Sequence, residues 1–192
     1  MQLNGDPLAS QMTQQLSGNG APVDVTMRRL TLDGVPAIPR LAAPLELRGA
    51  RVDDAAALAT LLRRAYEGEV WESAHVKLEV LSDPTVRETF VVVSGKRPIA
   101  TASFQVRPDT PDCGRVRWVA TDPEWRRKGL ARALVIGVLG MAAQAGCREA
   151  RIDTRTDRLA AIQLYQKLGF EPLVTTDADS DVWAPLLSLL GR

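Results

Sequence analysis

Apolar residues recur at two different spacings along the chain, and the changes of spacing predict where helices and strands alternate. A short strand at 45–47 precedes a helical pattern that Asp53 is expected to cap and that continues to Glu67. Gly68 interrupts this pattern, and a second, shorter helical pattern covers 71–81. The first third of the folded region therefore reads as one strand followed by two helices.

The remaining apolar pattern predicts strands first and then strands alternating with helices. In order, it predicts strands at 89–93 and 99–106 joined by a turn at 94–97, a strand at 115–121, an apolar helix around 133–143, a strand at 150–154, a helix capped by Asp157 and a strand from Phe170. Residues 183–190 are apolar and favour a helix over the alternative, a strand. This order is typical of an α/β (α+β) protein with a mixed central β-sheet flanked by helices.

Residues 1–44 lack the periodicity of the rest of the chain. The first 21 residues are rich in Gln, Ser, Gly and Asn, a composition typical of flexible segments. Residues 23–30 alternate weakly and predict an added edge strand, and the three prolines within 36–44 predict an extended linker. We expect a partly extended or flexible N-terminal extension at 1–44 that packs on the core or on a second subunit, and one domain at 45–192.

The charge of the chain is balanced overall but concentrated locally. The formal net charge is +1, so nucleic acid and anionic membranes are not expected partners. Residues 115–132, however, hold six basic and two acidic side chains, a local charge of +4 that leaves −3 for the rest of the chain. A compact anionic ligand fits this distribution better than a long polyanion does.

The chain has few side chains that bind metals or form disulfides. Its two cysteines, Cys113 and Cys147, and its single histidine, His75, have no metal-ligand spacing, so no metal site is expected. Two scattered thiols suit a reducing compartment, and a disulfide between them stays open at this point. No signal peptide is evident, and the longest uncharged apolar run, 133–143, is too short to span a bilayer. We expect a cytoplasmic protein.

The stretch from 115 to 132 combines a strand, a stop and a basic loop. Asp122-Pro123 ends the strand because proline has no N–H for a β-ladder. The sequence Arg-Arg-Lys-Gly-Leu-Ala at 126–131 then leads directly into the apolar helix. Gly129 lets the backbone approach a ligand closely, and a helix N-terminus offers unpaired N–H groups with a partial positive charge. These features favour a pyrophosphate site over the alternative, a solvated basic turn before an ordinary core helix.

Two segments together carry a resemblance to a known family. The first is 126–131, and the second is Leu-Tyr-Gln-Lys-Leu-Gly-Phe at 164–170. They resemble, respectively, the Arg/Gln-x-x-Gly-x-Gly/Ala signature for acetyl-coenzyme A and the tyrosine helix of the GCN5-related N-acetyltransferase (GNAT) superfamily. The order of elements agrees from residue 45 onward. The resemblance implies a GNAT fold for residues 45–192 and acetyl-coenzyme A (acetyl-CoA) as the acyl donor.

The resemblance also implies a role for each residue of the donor site. Backbone groups of Val119 and Thr121 would pair with the pantetheine arm like an extra strand, and the Val119 N–H would polarise the thioester carbonyl. Backbone N–H groups from Arg127 to Arg132 would hold the pyrophosphate. The implied cofactor-binding residues are Val119, Ala120, Thr121, Arg126, Arg127, Lys128, Gly129, Leu130, Ala131 and Arg132.

Tyr165 is the implied catalytic residue. It would sit near the sulfur and protonate the departing thiolate as a general acid. Because Tyr165 lies on the apolar stripe of its helix, the alternative is an ordinary core tyrosine. Arg158 stands seven residues earlier, where many relatives carry an asparagine.

The acceptor side is predicted from four residues. Tyr66 and Trp71 flank Gly68 and would line an apolar acceptor pocket, the alternative being ordinary helix packing. Arg117 alternates onto the face expected for Val119 and Thr121, where it would hold an acceptor carboxylate or phosphate, or else pair with an acidic neighbour. The candidate substrate residues are Tyr66, Glu67, Trp71 and Arg117.

No residue stands out as the general base that an amine acceptor requires. Glu67, Glu69, Glu72 and His75 lie where the family commonly builds its acceptor site. Each is also explained as a solvated surface residue, and a water relayed through backbone carbonyls stays open as the proton acceptor.

These motifs predict an N-acetyltransferase that moves acetyl from acetyl-CoA to a primary amine by direct attack, without a covalent enzyme intermediate. We expect the amine to belong to a small molecule. The alternatives are an acyltransferase or decarboxylase that uses a different acyl-CoA on the same fold, and a non-catalytic module that binds acyl-CoA. A homodimer is compatible with the sequence. The balanced charge argues against polycationic acceptors.

Overall fold

The computed structural model describes residues 22–66 and 68–191. The arm expected at 1–21, the candidate residue Glu67 and the C-terminal Arg192 lie outside the described residues. The described strands are β1 (Asp24–Arg29), β2 (Leu45–Gly49), β3 (Val86–Ser94), β4 (Arg97–Arg107), β5 (Thr110–Thr121), β6 (Glu149–Arg155) and β7 (Glu171–Pro172). The described α-helices are α1 (Ala55–Ala65), α2 (Ser73–His75), α3 (Leu130–Gln144), α4 (Leu159–Lys167) and α5 (Asp177–Leu190).

The elements form two compact units, one of which comprises residues 30–150. In this unit β2, β3, β4 and β5 form an antiparallel meander. The predicted hairpin is confirmed, because β3 and β4 pair as far as Ser94 opposite Arg97 around a turn that contains Gly95 at φ +61°. β5 starts earlier than expected and includes Pro111, which falls in an irregular stretch where the pairing with β4 shifts register.

One face of this meander is covered by α1 and by the second helical segment. Leu58, Leu61 and Leu62 of α1 share a buried cluster with Val91 and Val93 of β3. The second predicted helix is confirmed, although α2 continues as a π-helix over Val76–Leu81. Such π-helical turns are rare and are often found at functional sites.

The expected cap of α1 is wrong by one position, because Asp54 and not Asp53 occupies the N-cap position of α1. A single 3₁₀ turn, Val52–Asp54, precedes the helix. The Asp54 carboxylate accepts the Arg51 N–H at 2.7 Å and two guanidinium hydrogen bonds from Arg48 at 2.8 and 3.0 Å. These bonds, that from Arg48 first, lower the pKa of Asp54.

The opposite face of the meander is covered by α3, which is buried over most of its length. A Cβ built on Gly137 would lie 3.6 Å from Cδ1 of Ile38 and 3.8 Å from the ring of Phe90. Ile38 belongs to the predicted linker, and Leu32, a few residues earlier, is buried. This stretch therefore packs along α3.

The other compact unit contains the described residues 22–29 and 151–191. In it β1 lies between β6 and β7 and runs antiparallel to β7, with Met27 opposite Pro172. The strand predicted at 23–30 is confirmed, but its edge position is wrong because β1 has a neighbour on each side. The helix expected at 183–190 is also confirmed, and Thr176 caps it by accepting the N–H of Asp179 at 3.2 Å.

Candidate active site

The loop that joins β5 to α3 has a backbone suited to an anion. Arg127 has φ +63° and Gly129, at the N-cap of α3, has φ +75°. Among the described residues no side chain caps α3, and its first backbone hydrogen bond joins Ala133 N to Gly129 O at 3.0 Å. The N–H groups of residues 130–132 consequently have no acceptor within the helix. Left-handed residues next to exposed N–H groups form concave anion sites.

Four cationic side chains surround this helix end, and all are exposed: Arg126, Arg127, Lys128 and Arg132. The first turn of α3 has no acidic residue. A cation near a helix N-terminus opposes the helix dipole, at a cost of about 0.3–1 kcal/mol each, whereas an anion there is stabilised. A bound anion would make this concentration of charge favourable.

Asp122 anchors the start of this loop. It is 1% exposed, caps the 3₁₀ turn Pro123–Trp125 by accepting the N–H of Glu124 at 3.1 Å, and accepts a hydrogen bond from Arg97. Arg64, in the last turn of α1, contacts the same carboxylate at 3.2 Å and Glu124 at 3.3 Å. The sequence predicts Asp122-Pro123 only as a stop for β5 and misses this role.

A β-bulge interrupts β5 just before the loop. Thr101 of β4 lies opposite Ala120, whereas Ser103 lies opposite Arg117, so two residues of β5 oppose one of β4. Trp118, in the bulge, has φ +46°, a left-handed conformation that costs a non-glycine residue about 1–2 kcal/mol. Such strain is found preferentially at functional sites.

The bulge changes which face Arg117 occupies. Simple alternation places Arg117 on the same face as Val119 and Thr121, but the extra residue in β5 reverses the alternation beyond it. Arg117 therefore shares the face of Ala120, which packs in the cluster with α1, and not that of Thr121. The expected shared face is wrong, and Arg117 lies instead on the side of the meander that α1 covers, with its guanidinium carbon 5.3 Å from the Trp118 ring centroid.

Tyr66 links the end of α1 to the bulge. Its hydroxyl donates a hydrogen bond to the Val119 carbonyl at 2.9 Å. Its ring lies 6.2 Å from that of Trp71, which is buried, and Trp71 stacks on His75 at 5.0 Å. The structure thus brings two of the candidate acceptor residues, Tyr66 and Trp71, together, and Tyr66 in turn contacts Val119.

The candidate bases in this region have defined partners. Glu69 accepts the indole N–H of Trp71 at 3.1 Å, and Nε2 of His75 lies 2.9 Å from a carboxylate oxygen of Glu79. Glu72 is exposed at the start of α2. The contacts hold Glu69 and His75 against the aromatic side chains.

Tyr165 lies on α4, in the unit of residues 22–29 and 151–191. It is 4% exposed, its ring packs edge-on against Phe170 at 6.1 Å, and burial raises the pKa of its phenol well above the ordinary value, partly offset by Arg158. The expected cap of α4 is wrong, because Asp157 instead binds Arg155 at 2.5 and 3.2 Å and Arg158 takes the N-cap position.

Comparison with known proteins decides the family. The sequence model of the acetyltransferase (GNAT) family matches residues 55–170. The chain belongs to this family. The match includes both motifs that the sequence resemblance rests on, and the fold class and GNAT resemblance predicted from sequence are confirmed.

Individual GNAT relatives cover different shares of the chain. Human N-acetyltransferase 8 is 44% identical over 68 residues, 35% of this chain and 29% of that protein. Mycothiol acetyltransferase from Kocuria rhizophila is 30% identical over 184 residues, 88% of this chain and 60% of that protein. The chain thus spans less than two thirds of either relative. The structure of AAC(6′)-Iy with a CoA-S-monomethyl-acetylneamine bisubstrate analogue matches with a TM-score of 0.60 at 21% identity, over 70% of this GNAT chain and 95% of that one.

Two further properties of this GNAT protein bear on its site. Within the part of the chain that the structure describes, no three His, Cys, Asp or Glu side chains are grouped so as to hold a metal ion. Over the same residues, every helix is too short or too polar to cross a membrane.

Proposed function

We propose that this protein transfers an acetyl group from acetyl-CoA to a primary amine. The observation that carries the proposal is the join between β5 and α3, where a bulged strand is followed directly by an uncapped, cation-rich helix N-terminus. Acetyl-CoA suits both features, because its pyrophosphate accepts hydrogen bonds from N–H groups and the amides of its arm can pair with a strand whose own pairing is interrupted. The AAC(6′)-Iy structure, whose ligand is a CoA analogue, supports the same donor.

We assign the arm to Val119, Ala120 and Thr121. The Val119 carbonyl already accepts the Tyr66 hydroxyl, so the Val119 N–H is the group we assign to the thioester carbonyl. Oγ1 of Thr121 is buried and has no hydrogen-bond partner among the described residues. A buried hydroxyl without a partner is costly, and an amide of the bound arm would supply one.

The pyrophosphate is assigned to the loop and first turn of α3. The N–H groups of residues 127–132 would donate to its oxygens, and Gly129 permits close approach because it has no side chain. The side chains of Arg126, Lys128 and Arg132 would neutralise its charge.

We propose Tyr165 as the general acid. In the reaction the amine nitrogen forms a bond to the acetyl carbon, the carbon–sulfur bond breaks, and the CoA thiolate takes the phenolic proton of Tyr165. Burial raises the pKa of Tyr165, so the phenol is protonated near neutral pH and holds the proton that this step transfers. The amine nitrogen loses its proton to solvent. The phenolate of Tyr165 takes a proton from solvent, so the enzyme returns to its starting state.

The acceptor is proposed to be a small-molecule amine bound beside Tyr66 and Trp71. These two rings and the ring of Trp118 offer apolar surface, and Arg117 on the same face offers a charge for an acceptor carboxylate or phosphate. Glu67 stays a candidate from the sequence alone. Similar proteins carry different names, mycothiol acetyltransferase and aminoglycoside N-acetyltransferase among them, so similarity does not identify the acceptor. The acceptor class is proposed from the side chains on this face.

The test is release of free thiol from acetyl-CoA in the presence of amines, amino acids and aminoglycosides, with thermal unfolding measured with and without acetyl-CoA. Thiol release with one acceptor class would support transfer and identify the acceptor. A thermal shift without release from any acceptor would point to another acyl group or to a binding module. The absence of both a thermal shift and thiol release would contradict the assignment of the 126–132 loop.

Two aspects of the wider setting are proposals as well. Cys113 and Cys147 are both buried free thiols, which suits the cytoplasm. A homodimer is the second proposal, and light scattering at several protein concentrations tests it.

We also propose residues 45–192 as the acetyltransferase domain and 1–44 as its extension, with residues 32–38 docked on α3.

A further inference from the structure

A cavity of about 530 Å³ lies between the loop that joins β5 to α3 and the linker that precedes β2. One wall is formed by Trp125, Lys128, Gly129 and Arg132, and the other by residues 39–45 of the linker. The linker precedes residue 55, where the family match begins. This wall is therefore a feature of this chain that the two family motifs do not account for.

Positive charge enters the cavity from both walls. Lys128 and Arg132 contribute it on the loop side, and Arg40 contributes it on the linker side. The lining, as far as the described residues form it, includes no Asp or Glu. The Lys128 ammonium lies 4.5 Å from the Trp125 ring centroid, which holds it on the loop wall. Three like charges around one cavity repel each other, and an anion bound between them would offset this repulsion.

The rest of the lining is apolar. Its apolar lining residues include Trp125 and, from the linker, Leu41, Ala42, Ala43 and Pro44. A pocket that combines apolar walls with a few cations suits a nucleotide, which has a flat base and charged phosphates. The donor, acetyl-CoA, carries a third phosphate on its ribose besides the pyrophosphate. The N–H groups of α3 account for the pyrophosphate and leave the ribose phosphate without a partner.

We propose that this cavity binds the adenosine 3′-phosphate end of acetyl-CoA and that Arg40 contacts the 3′-phosphate. The inference rests on the proposed function, since it takes acetyl-CoA as the donor. A phosphate monoester carries about −1.5 to −2 charges at neutral pH, so an arginine is its natural partner. The linker is then part of the donor site, and the protein distinguishes CoA from 3′-dephospho-CoA.

The test measures dissociation constants by calorimetry for CoA and for 3′-dephospho-CoA. Four proteins are compared: the unchanged chain, Arg40→Gln, Arg40→Lys and Arg87→Gln. Arg87 is a matched control, because it is also exposed but lies at the far end of β3 from Ser94, near which the linker joins β2. Thermal unfolding of each variant without ligand verifies that it folds.

We expect the unchanged chain to bind CoA more tightly than 3′-dephospho-CoA. Arg40→Gln should reduce that preference about three- to tenfold, the effect of one charge-assisted contact at a partly exposed site, and leave binding of 3′-dephospho-CoA unchanged. Arg87→Gln should alter neither constant, and Arg40→Lys should restore part of the preference.

Two results overturn the inference and leave the proposed function standing: equal binding of both ligands by the unchanged chain, or an unchanged preference in Arg40→Gln. Failure of every protein to bind either ligand would overturn the proposed function itself. Equal weakening of both ligands by Arg40→Gln would place Arg40 at the pyrophosphate and so also contradict its assignment to the 3′-phosphate.

Discussion

Asp122 is the residue on which the geometry of the loop between β5 and α3 depends most directly. Asp122→Asn keeps the shape of the side chain but removes the charge that Arg64 and Arg97 share. Because the carboxylate is buried while both arginines are half-exposed, we expect a loss of about 1–3 kcal/mol in the free energy of unfolding. The loop loses its anchor, so KM for acetyl-CoA should rise several-fold with a smaller change in kcat.

The control for Asp122→Asn is Asp112→Asn, which removes an exposed pair with Arg148 at 3.5 Å. Exposed pairs contribute little, so this variant should stay within about 0.5 kcal/mol of the unchanged protein and keep its KM. Urea unfolding and steady-state kinetics measure both. Equal effects from the two substitutions would mean that Asp122 is not an anchor.

The substitution Tyr165→Phe distinguishes a catalytic role of Tyr165 from a structural one, because kcat and the pH dependence of stability report on the two roles separately. Tyr165→Phe should lower kcat about 100-fold or more with KM for acetyl-CoA nearly unchanged, because the leaving thiolate loses its proton donor. Burial raises the pKa of Tyr165 in the folded protein above the value near 10 of the unfolded chain. The stability from the neutral phenol is therefore complete below about pH 10 and is lost as the pH rises above it.

Phenylalanine does not titrate, so Tyr165→Phe should lose less stability than the unchanged protein between about pH 9 and pH 11. Urea unfolding at the two pH values measures this difference. A full alkaline difference together with an unchanged kcat at every pH would identify Tyr165 as a core tyrosine and remove it from the mechanism.

At the scale of elements, alanine substitutions at two glycines test how tightly α3 packs on the meander. A Cβ on Gly137 meets its neighbours at ordinary contact distances of 3.6 Å and more, so Gly137→Ala should raise the free energy of unfolding by about 0.5–1 kcal/mol through helix propensity. A Cβ on Gly114 of β5 would lie 2.8 Å from that of Ala142 and 3.2 Å from the Phe104 ring. Gly114→Ala should therefore destabilise by about 1–3 kcal/mol.

Thermal and urea unfolding of the two alanine variants tests the pair together. Opposite signs are expected, since the same methyl group is added on either side of one interface. Two destabilised variants would mean that α3 lies closer to the sheet near Gly137 than the structure has it.

Elements with a strong periodic signal were predictable, and interruptions of the period were not. The β3–β4 hairpin follows from β-branched residues on either side of a Gly-Lys turn, and α3 follows from its unbroken apolar run. The β5 bulge leaves no signal, because Trp118 is a residue that usually favours regular strands. The bulge then reverses the face of Arg117, so one unpredictable residue changed the placement of another.

At the scale of the whole molecule, the family and the basic loop before α3 were predictable because both depend on local sequence. The contacts of Asp122 with Arg64 and Arg97, and the wall that Arg40 adds to the cavity, join positions far apart in sequence. Such pairs depend on tertiary packing, which a single sequence does not encode at any fixed spacing. The sequence therefore predicted the loop proposed as the donor site, and the contacts that support this loop were found only in the structure.

The distribution of charge over the chain leads to a prediction about salt. The net charge is only +1, but residues 115–132 carry +4. Attraction of an anionic donor therefore depends on the local cluster and should be screened as the Debye length falls from about 10 Å at 0.1 M to about 3 Å at 1 M salt. KM for acetyl-CoA should rise several-fold over that range, as steady-state kinetics would measure.

The matched control donor is S-acetylpantetheine, which has the same thioester and arm but no phosphates. Its KM should hardly change. An equal rise for both donors would mean that salt acts on the acceptor or on the fold, and the cluster at 115–132 would then not be the site of the donor's phosphates.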